Sequence, residues 1–165
     1  MIEQCDSAPG SKIFTLRVPK GTSGTLVTAH VIARLIREGA KDFCVRQKAI
    51  AIFRAAGARP KDRFGEVCAL FDWVRRNVRY TRDIFRVELL HTARNMLALR
   101  AGDCDDMTIL LGAMLMSTGH PVRLVLAGFR PNRPHAYTHI YPEVHVLGRW
   151  LAADPTVSRP IGFAP

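Results

Sequence analysis

The sequence predicts an α+β fold with helices first and an antiparallel sheet last. Three observations point there. Residues 67–78 carry apolar side chains at helical spacing. The segment MTILLGAMLM, residues 107–116, is apolar on nearly every face, so its helix belongs inside the core rather than on a surface. After Pro121 the chain turns to short extended runs separated by a Pro/Arg loop and a Leu-Gly turn. With 165 residues, the chain is long enough for one domain with its own core, and we read 1–165 as that domain.

Each element has a local cause. KIFTLRV, residues 12–18, alternates enough for a short strand, and PKGTSG breaks it. Thr25 can cap a helix over roughly residues 26–38 that stops at Gly39. Asp42 can cap a second helix ending near Gly57, with residues 58–60 as connector. In the third helix Val67, Leu70, Phe71, Val74 and Val78 form one stripe, while Glu66, Asp72, Arg75, Arg76 and Arg79 take the other faces. HTARNMLALR, residues 91–100, reads as another short helix. The buried helix after Cys104 ends at Gly119, and Pro121 prevents its continuation. Strands follow over VRLVLAGF (122–129), YTHIYPEVHV (137–146) and RWLAAD (149–154).

Composition narrows the functional classes. No run approaches the ~18 apolar residues of a membrane span. The polar start MIEQCDSAPGSK does not read as a signal peptide, so residence in the cytoplasm is the default expectation. Cys5, Cys44, Cys68 and Cys104 form no C-x-x-C pair, and a chain of this size needs no disulfide framework. Cys44 and Cys68 read as small buried residues of helices, and Cys5 as tail. The six histidines show no zinc-ligand spacing, and no metal or cofactor is expected. A net charge of +10, with the arginine-dense stretch 72–86, raises nucleic-acid binding. No helix-turn-helix, RRM-like or GXXG signature accompanies it, so any such affinity is expected to be non-specific and accessory.

The chemistry concentrates in RAGDCDDM, residues 100–107. A thiol at the first turn of a helix meets unsatisfied N–H groups and a partial positive charge, which bias it toward the nucleophilic thiolate. Asp103 can cap, and Asp105 and Asp106 suit the same helix end. These carboxylates also oppose ionisation of Cys104, so a positive partner such as an imidazolium is required. The bland alternatives are a capped turn with an incidental cysteine, or a cation site, although the ligand spacing of a calcium loop is missing. If Leu147 and Gly148 make a two-residue turn, His145 faces Trp150, Glu143 faces Ala152 and Tyr141 faces Asp154. His139 then becomes the diagonal neighbour of Asp154 on one sheet face, near enough for a carboxylate to orient an imidazole.

RAGDCDDMTILLGAMLMSTGHPVR followed by HIYPEVHVLGRWLAADPT resembles the transglutaminase-like superfamily, within the papain-like cysteine protease fold. The resemblance rests on Gly102-Asp103-Cys104 before a buried helix, then His139, Ile140, Tyr141 and Glu143. Gly148, Arg149, Trp150 and Asp154-Pro155-Thr156 complete it. FDWVRRNVRYTRD upstream is similar to the segment preceding the cysteine in bacterial members, and the whole looks most like members carried by tailed bacteriophages and prophages. The matching core runs over about 64–160, leaving 1–63 as an N-terminal strand and helical extension. The resemblance implies a papain-like core, with N-terminal helices and the buried helix packed on the C-terminal sheet. It also implies Cys104 as nucleophile, His139 as base and acid, and Asp154 as the orienting residue. The backbone N–H of Cys104, Tyr80 and Asn95 are the candidates for an oxyanion hole. The expected partner is a peptide or protein substrate, and phage structural proteins are a further option. The expected reaction is amide hydrolysis or transfer to an amine, and cell-wall peptides would suit a phage setting. The alternative is a phage assembly or tail-associated protein that keeps the fold as scaffold. HAY at 135–137 superficially resembles the histidine signature, but only His139 reproduces the spacing to Trp150 and Asp154.

Overall fold

Among the residues that the computed structural model describes (5, 15–59, 61–82, 89–129, 132 and 136–165), five helices precede a three-stranded antiparallel sheet. The helices are α1 (Thr22–Gly39), α2 (Phe43–Ala55), α3 (Arg63–Asn77), α4 (Ala93–Leu99) and α5 (Cys104–Ser117). Four of them start at a side-chain cap. Asp42 accepts from the amides of Cys44 and Val45, Asp62 from Gly65, Thr92 from Asn95, and Asp103 from Asp105 and Asp106. The first helix departs from expectation. Gly21, at φ 74°, turns the chain into α1 four residues before Thr25, whose hydroxyl donates back to the Gly21 carbonyl from inside the helix.

The core is organised around α5. Residues 107–115 of this helix are all buried, and it touches α1, α2, α3, α4 and the sheet. Burying a leucine such as Leu110 or Leu111 stabilises the fold by roughly 1.5–3 kcal/mol relative to leaving it exposed. Alpha1 approaches closely at Gly39, where a Cβ would come within 2.8 Å of the Ala93 Cβ and 2.9 Å of the Ala113 Cβ. At the far end of α5, Arg63 donates to the carbonyls of Thr118 and Gly119, and its neighbour Glu66 hydrogen-bonds the buried His120 ring.

The strands are β1 (Arg79–Tyr80), β2 (Ala101–Gly102), β3 (Val122–Ala127), β4 (His139–Val146) and β5 (Arg149–Ala152). The larger sheet has the order β3-β4-β5. Its β4–β5 hairpin turns through Leu147 (φ 53°) and Gly148 (φ 75°), the double positive-φ geometry that matches strand twist. Glu143 pairs with Ala152 and His145 with Trp150, as the sequence predicts. Beyond the ladder, the Ala153 amide still donates to the Pro142 carbonyl at 2.9 Å and carries the register toward Asp154.

Two expectations change, and one pairing is new. The strand expected over residues 12–18 does not form in its described part: Thr15, Leu16, Arg17 and Val18 are exposed and pair with no strand, so nothing fixes them as extended ladder. Residues 12–14 lie outside the described residues, as does His135. Cys5 is not loose tail. It is joined by a disulfide to Cys44, the second residue of α2, with Cα atoms 5.4 Å apart. Local spacing cannot signal a bond between cysteines 39 residues apart. Finally, β1 and β2 form a parallel two-residue pair that no alternation in the sequence announces.

Candidate active site

The small parallel pair places Tyr80 opposite Gly102, two residues before the cysteine. Thr81 donates its amide to the Gly102 carbonyl and Arg79 to the Arg100 carbonyl, so this approach to α5 is held on its backbone. Cys104 is the first helical residue of α5. Asp103 occupies the next two amides, leaving the Cys104 N–H, first of the helix, with no partner inside it. The Thr108 hydroxyl donates to the Ile140 carbonyl at 3.2 Å and ties the opening turn of α5 to the start of β4. The Ile140 backbone, in return, favours the ionised form of the Cys104 sulfur.

His139 is the first residue of β4. Its Nε2 lies 2.6 Å from Asp154 Oδ2, while Asp154 Oδ1 accepts from the amide (2.9 Å) and hydroxyl (2.7 Å) of Thr156. Asp154 is 1% exposed, so this carboxylate acts away from bulk water. Burial raises its pKa, but the hydrogen bonds from His139 and Thr156 outweigh burial and hold the carboxyl below its usual range. With Nε2–H donated to Asp154, the lone pair of a neutral His139 ring sits on Nδ1. Phe129 and Tyr141 flank the imidazole, with ring centroids 6.0 and 5.9 Å away.

Cys104 and His139 line one cavity of ≈ 550 Å³, together with Tyr80, Arg82, Asp103 and Asp105. The thiol's electrostatics differ from the expectation built on the helix end alone. Burial pushes the Cys104 pKa up, and Asp105 and Asp103 push it further. The thiol donates to Asp105 Oδ1 at 3.3 Å, and only the Ile140 backbone pulls the other way. The resting group is therefore a protonated thiol. A helix terminus contributes about half a unit charge, and two full carboxylate charges beside the sulfur exceed it.

The structure brings Cys104, His139 and Tyr80 to the cavity and Asp154 behind the histidine. It does not bring Asn95, which lies at the start of α4, is not among the lining residues, and has a buried Oδ1 without a partner among the described residues. The Tyr80 pKa is raised by burial and by its neighbours Cys104 and Asp103, so its phenol keeps a donor proton. Two supporting roles escaped sequence reasoning. Thr156 supports Asp154, for which the only signal was its place in Asp-Pro-Thr. The buried Asp106 anchors the chain before α4 by accepting from the His91 amide and ring. Asp103, Cys104 and Asp105 could offer a metal three ligand atoms within 4.8 Å of one another, but Asp103 Oδ1 already serves the helix cap and Asp105 Oδ1 the thiol.

Comparison with known proteins gives this geometry a family. No curated protein matches the chain. Among solved structures, a candidate cysteine protease from Cytophaga hutchinsonii is similar, with 24% identity and a TM-score of 0.52 over 68% of this chain and 37% of that one. A TGase structure has 14% identity and a TM-score of 0.45 over 87% of this chain and 35% of that one. The chain thus spans little more than a third of either solved protein. The first likeness supports the fold: helices and a buried cysteine helix packed on an antiparallel sheet, as the sequence predicts. No helix among the described residues is long and apolar enough to cross a membrane. The family model of the transglutaminase-like superfamily matches residues 50–155, from α2 through the hairpin to Pro155, and the chain belongs to that superfamily.

Proposed function

We propose that this protein catalyses thiol-dependent acyl transfer, with Cys104 as nucleophile, His139 as base and acid, and Asp154 as the residue that orients His139. The observation that carries the reading is the 2.6 Å contact between His139 and the buried Asp154, with the histidine lining the same cavity as the helix-terminal thiol. Because the resting thiol is protonated, the first step is transfer of its proton to the His139 ring as sulfur attacks a substrate carbonyl. The oxyanion that forms is received by the Cys104 N–H and the Tyr80 hydroxyl. Collapse breaks the C–N bond, the imidazolium gives its proton to the leaving amine, and a thioester remains on Cys104. Water or a second amine, deprotonated by His139, resolves that thioester to acid or new amide. Asp154 keeps the imidazole in one tautomer and supports its charge in between.

The bacterial and phage resemblance of the sequence suggests peptide cross-bridges of the cell wall as substrate, met from the host cytoplasm or from a virion. A peptide-library screen that reads hydrolysis and amine incorporation separately tests the reading. Cys104→Ala and His139→Ala should nearly abolish turnover in folded protein, and Asp154→Ala should be intermediate, because an orienting residue costs less than the base it holds. Turnover that survives His139→Ala but is lost in His135→Ala would overturn the assignment.

A further inference from the structure

The cavity beside Cys104 has a wall that the family match does not contain. Alpha1 ends at Gly39, before the matched region begins at residue 50, yet Thr25, Thr28, Ala29 and Ile32 of α1 line the cavity together with Val18 and Pro19 just ahead of it. These positions carry no charge. The charged lining groups, Arg82, Asp103 and Asp105, come from other elements, just after β1 and at the start of α5. Helix and preceding segment form one unit: the Pro19 carbonyl lies so close over the first turn of α1 that a Cβ on Gly24 would stand 1.9 Å from its oxygen. Ile32 is 1% exposed and anchors this wall in the core, as does the tight contact at Gly39.

On the strength of the acyl-transfer reading, we propose that α1 is the substrate-selecting wall. Thr28 is its specificity-determining residue, and the cavity takes an extended peptide with a small, uncharged side chain beside the scissile carbonyl. An opening of ≈ 550 Å³ falls within the usual range for ligand sites, but here it must admit main chain as well as a side chain, which leaves little room against the helix. An uncharged wall gives a charged side chain no partner as it leaves water. Among the described residues no protein group hydrogen-bonds the hydroxyls of Thr28 or Thr138, which line the cavity from α1 and from the approach to β4. Both are free to bond the amide groups of a bound peptide.

Peptidyl chloromethyl ketones that differ in the residue beside the reactive carbonyl (glycine, alanine, phenylalanine, glutamate, arginine) test this, with iodoacetamide as a probe too small to touch the wall. Modification of Cys104 is followed by mass spectrometry. Glycine and alanine probes should react on the order of tenfold faster than the bulky or charged ones. Thr28→Trp should slow the alanine probe by about tenfold or more, through overpacking, and leave iodoacetamide alkylation within about twofold. The isosteric Thr28→Val, which keeps the shape of the helix face, should slow the alanine probe by roughly twofold to tenfold, the worth of one hydrogen bond. Preference for charged probes overturns the proposal. So does peptidyl labelling indifferent to both Thr28 variants, or iodoacetamide labelling without any peptidyl labelling; each leaves the thiol chemistry standing. If neither reagent modifies Cys104, the acyl-transfer reading falls and this proposal falls with it.

Discussion

Replacing Asp105 by Asn isolates what holds the resting thiol protonated. The Asp105 carboxylate accepts the Cys104 S–H at 3.3 Å, and it is the largest contributor after burial to the raised thiol pKa. Taking 3.3 Å as the charge separation, one carboxylate opposes a thiolate by about 1 kcal/mol in the water limit and about 5 kcal/mol at an effective dielectric of ~20. Removing that charge therefore raises the thiolate population by about eightfold to several thousandfold. A less basic thiolate is also a weaker nucleophile, with a Brønsted slope of about 0.4–0.5, so the gain in rate shrinks to roughly threefold to a hundredfold. The assay is iodoacetamide alkylation of Cys104 in folded protein across a pH series, mapped by mass spectrometry, with thermal unfolding to verify the fold. Asp105→Asn should be faster at neutral pH, and its advantage should narrow as the solution becomes alkaline enough to ionise the wild-type thiol. An equal rate at every pH would refute the reasoning, since burial alone would then govern the thiol.

Other consequences are open to measurement. The Asp154 carboxyl sits below its unfolded value of about 3.9, so its stabilisation is fully present above that pH and is lost as pH falls through the lower native value. Denaturant midpoints measured at descending pH should therefore fall less steeply in Asp154→Asn than in wild type, and parallel curves would contradict the linkage. The Cys5–Cys44 disulfide closes a loop of 39-residue separation, for which chain entropy gives at most about 4 kcal/mol of stability. Cys5→Ser should show a lower unfolding midpoint under non-reducing conditions and match wild type once both are reduced. Asp103, Asp105 and Asp106 are engaged in capping, in the thiol contact and in anchoring His91, so turnover of any substrate found should survive EDTA. A sharp loss restored by calcium would instead assign Asp103 and Asp105 to a cation.

What could be read from the chain ahead of its structure depends on whether the cause is local. The burial of α5 follows from its own composition, because a helix with no polar face must be surrounded. The caps Asp42 and Asp103 act within three residues, and the hairpin register follows from a two-residue turn. Even the meeting of His139 and Asp154 reduces to parity along two paired strands. The parallel pairing of Tyr80 with Gly102 has no such local cause. It joins segments on either side of α4, each too short to show alternation. The disulfide was illegible for the same reason. The thiol shows the limit most directly: its place at a helix end is a property of sequence, but its protonation is decided by burial and by how near the carboxylates come.

The hairpin turn at Leu147 and Gly148 has a consequence for how this protein can vary. Exposed loops ordinarily accept insertions and deletions, and Leu147, 67% exposed, sits on such a loop. Yet one residue added there, with the ladder re-formed around it, would shift β5 by a single step and send every side chain after it to the opposite face. Asp154 would leave the side of the sheet where it meets His139. Length at this turn is consequently under a constraint that neither its exposure nor its distance from Cys104 would suggest. Changes in pairs, or an added residue absorbed by a bulge, preserve the facing of the two residues. A survey of natural variants or a scanning-insertion library should find odd-length changes at this turn among active proteins only where a bulge absorbs the extra residue, while even-length changes persist.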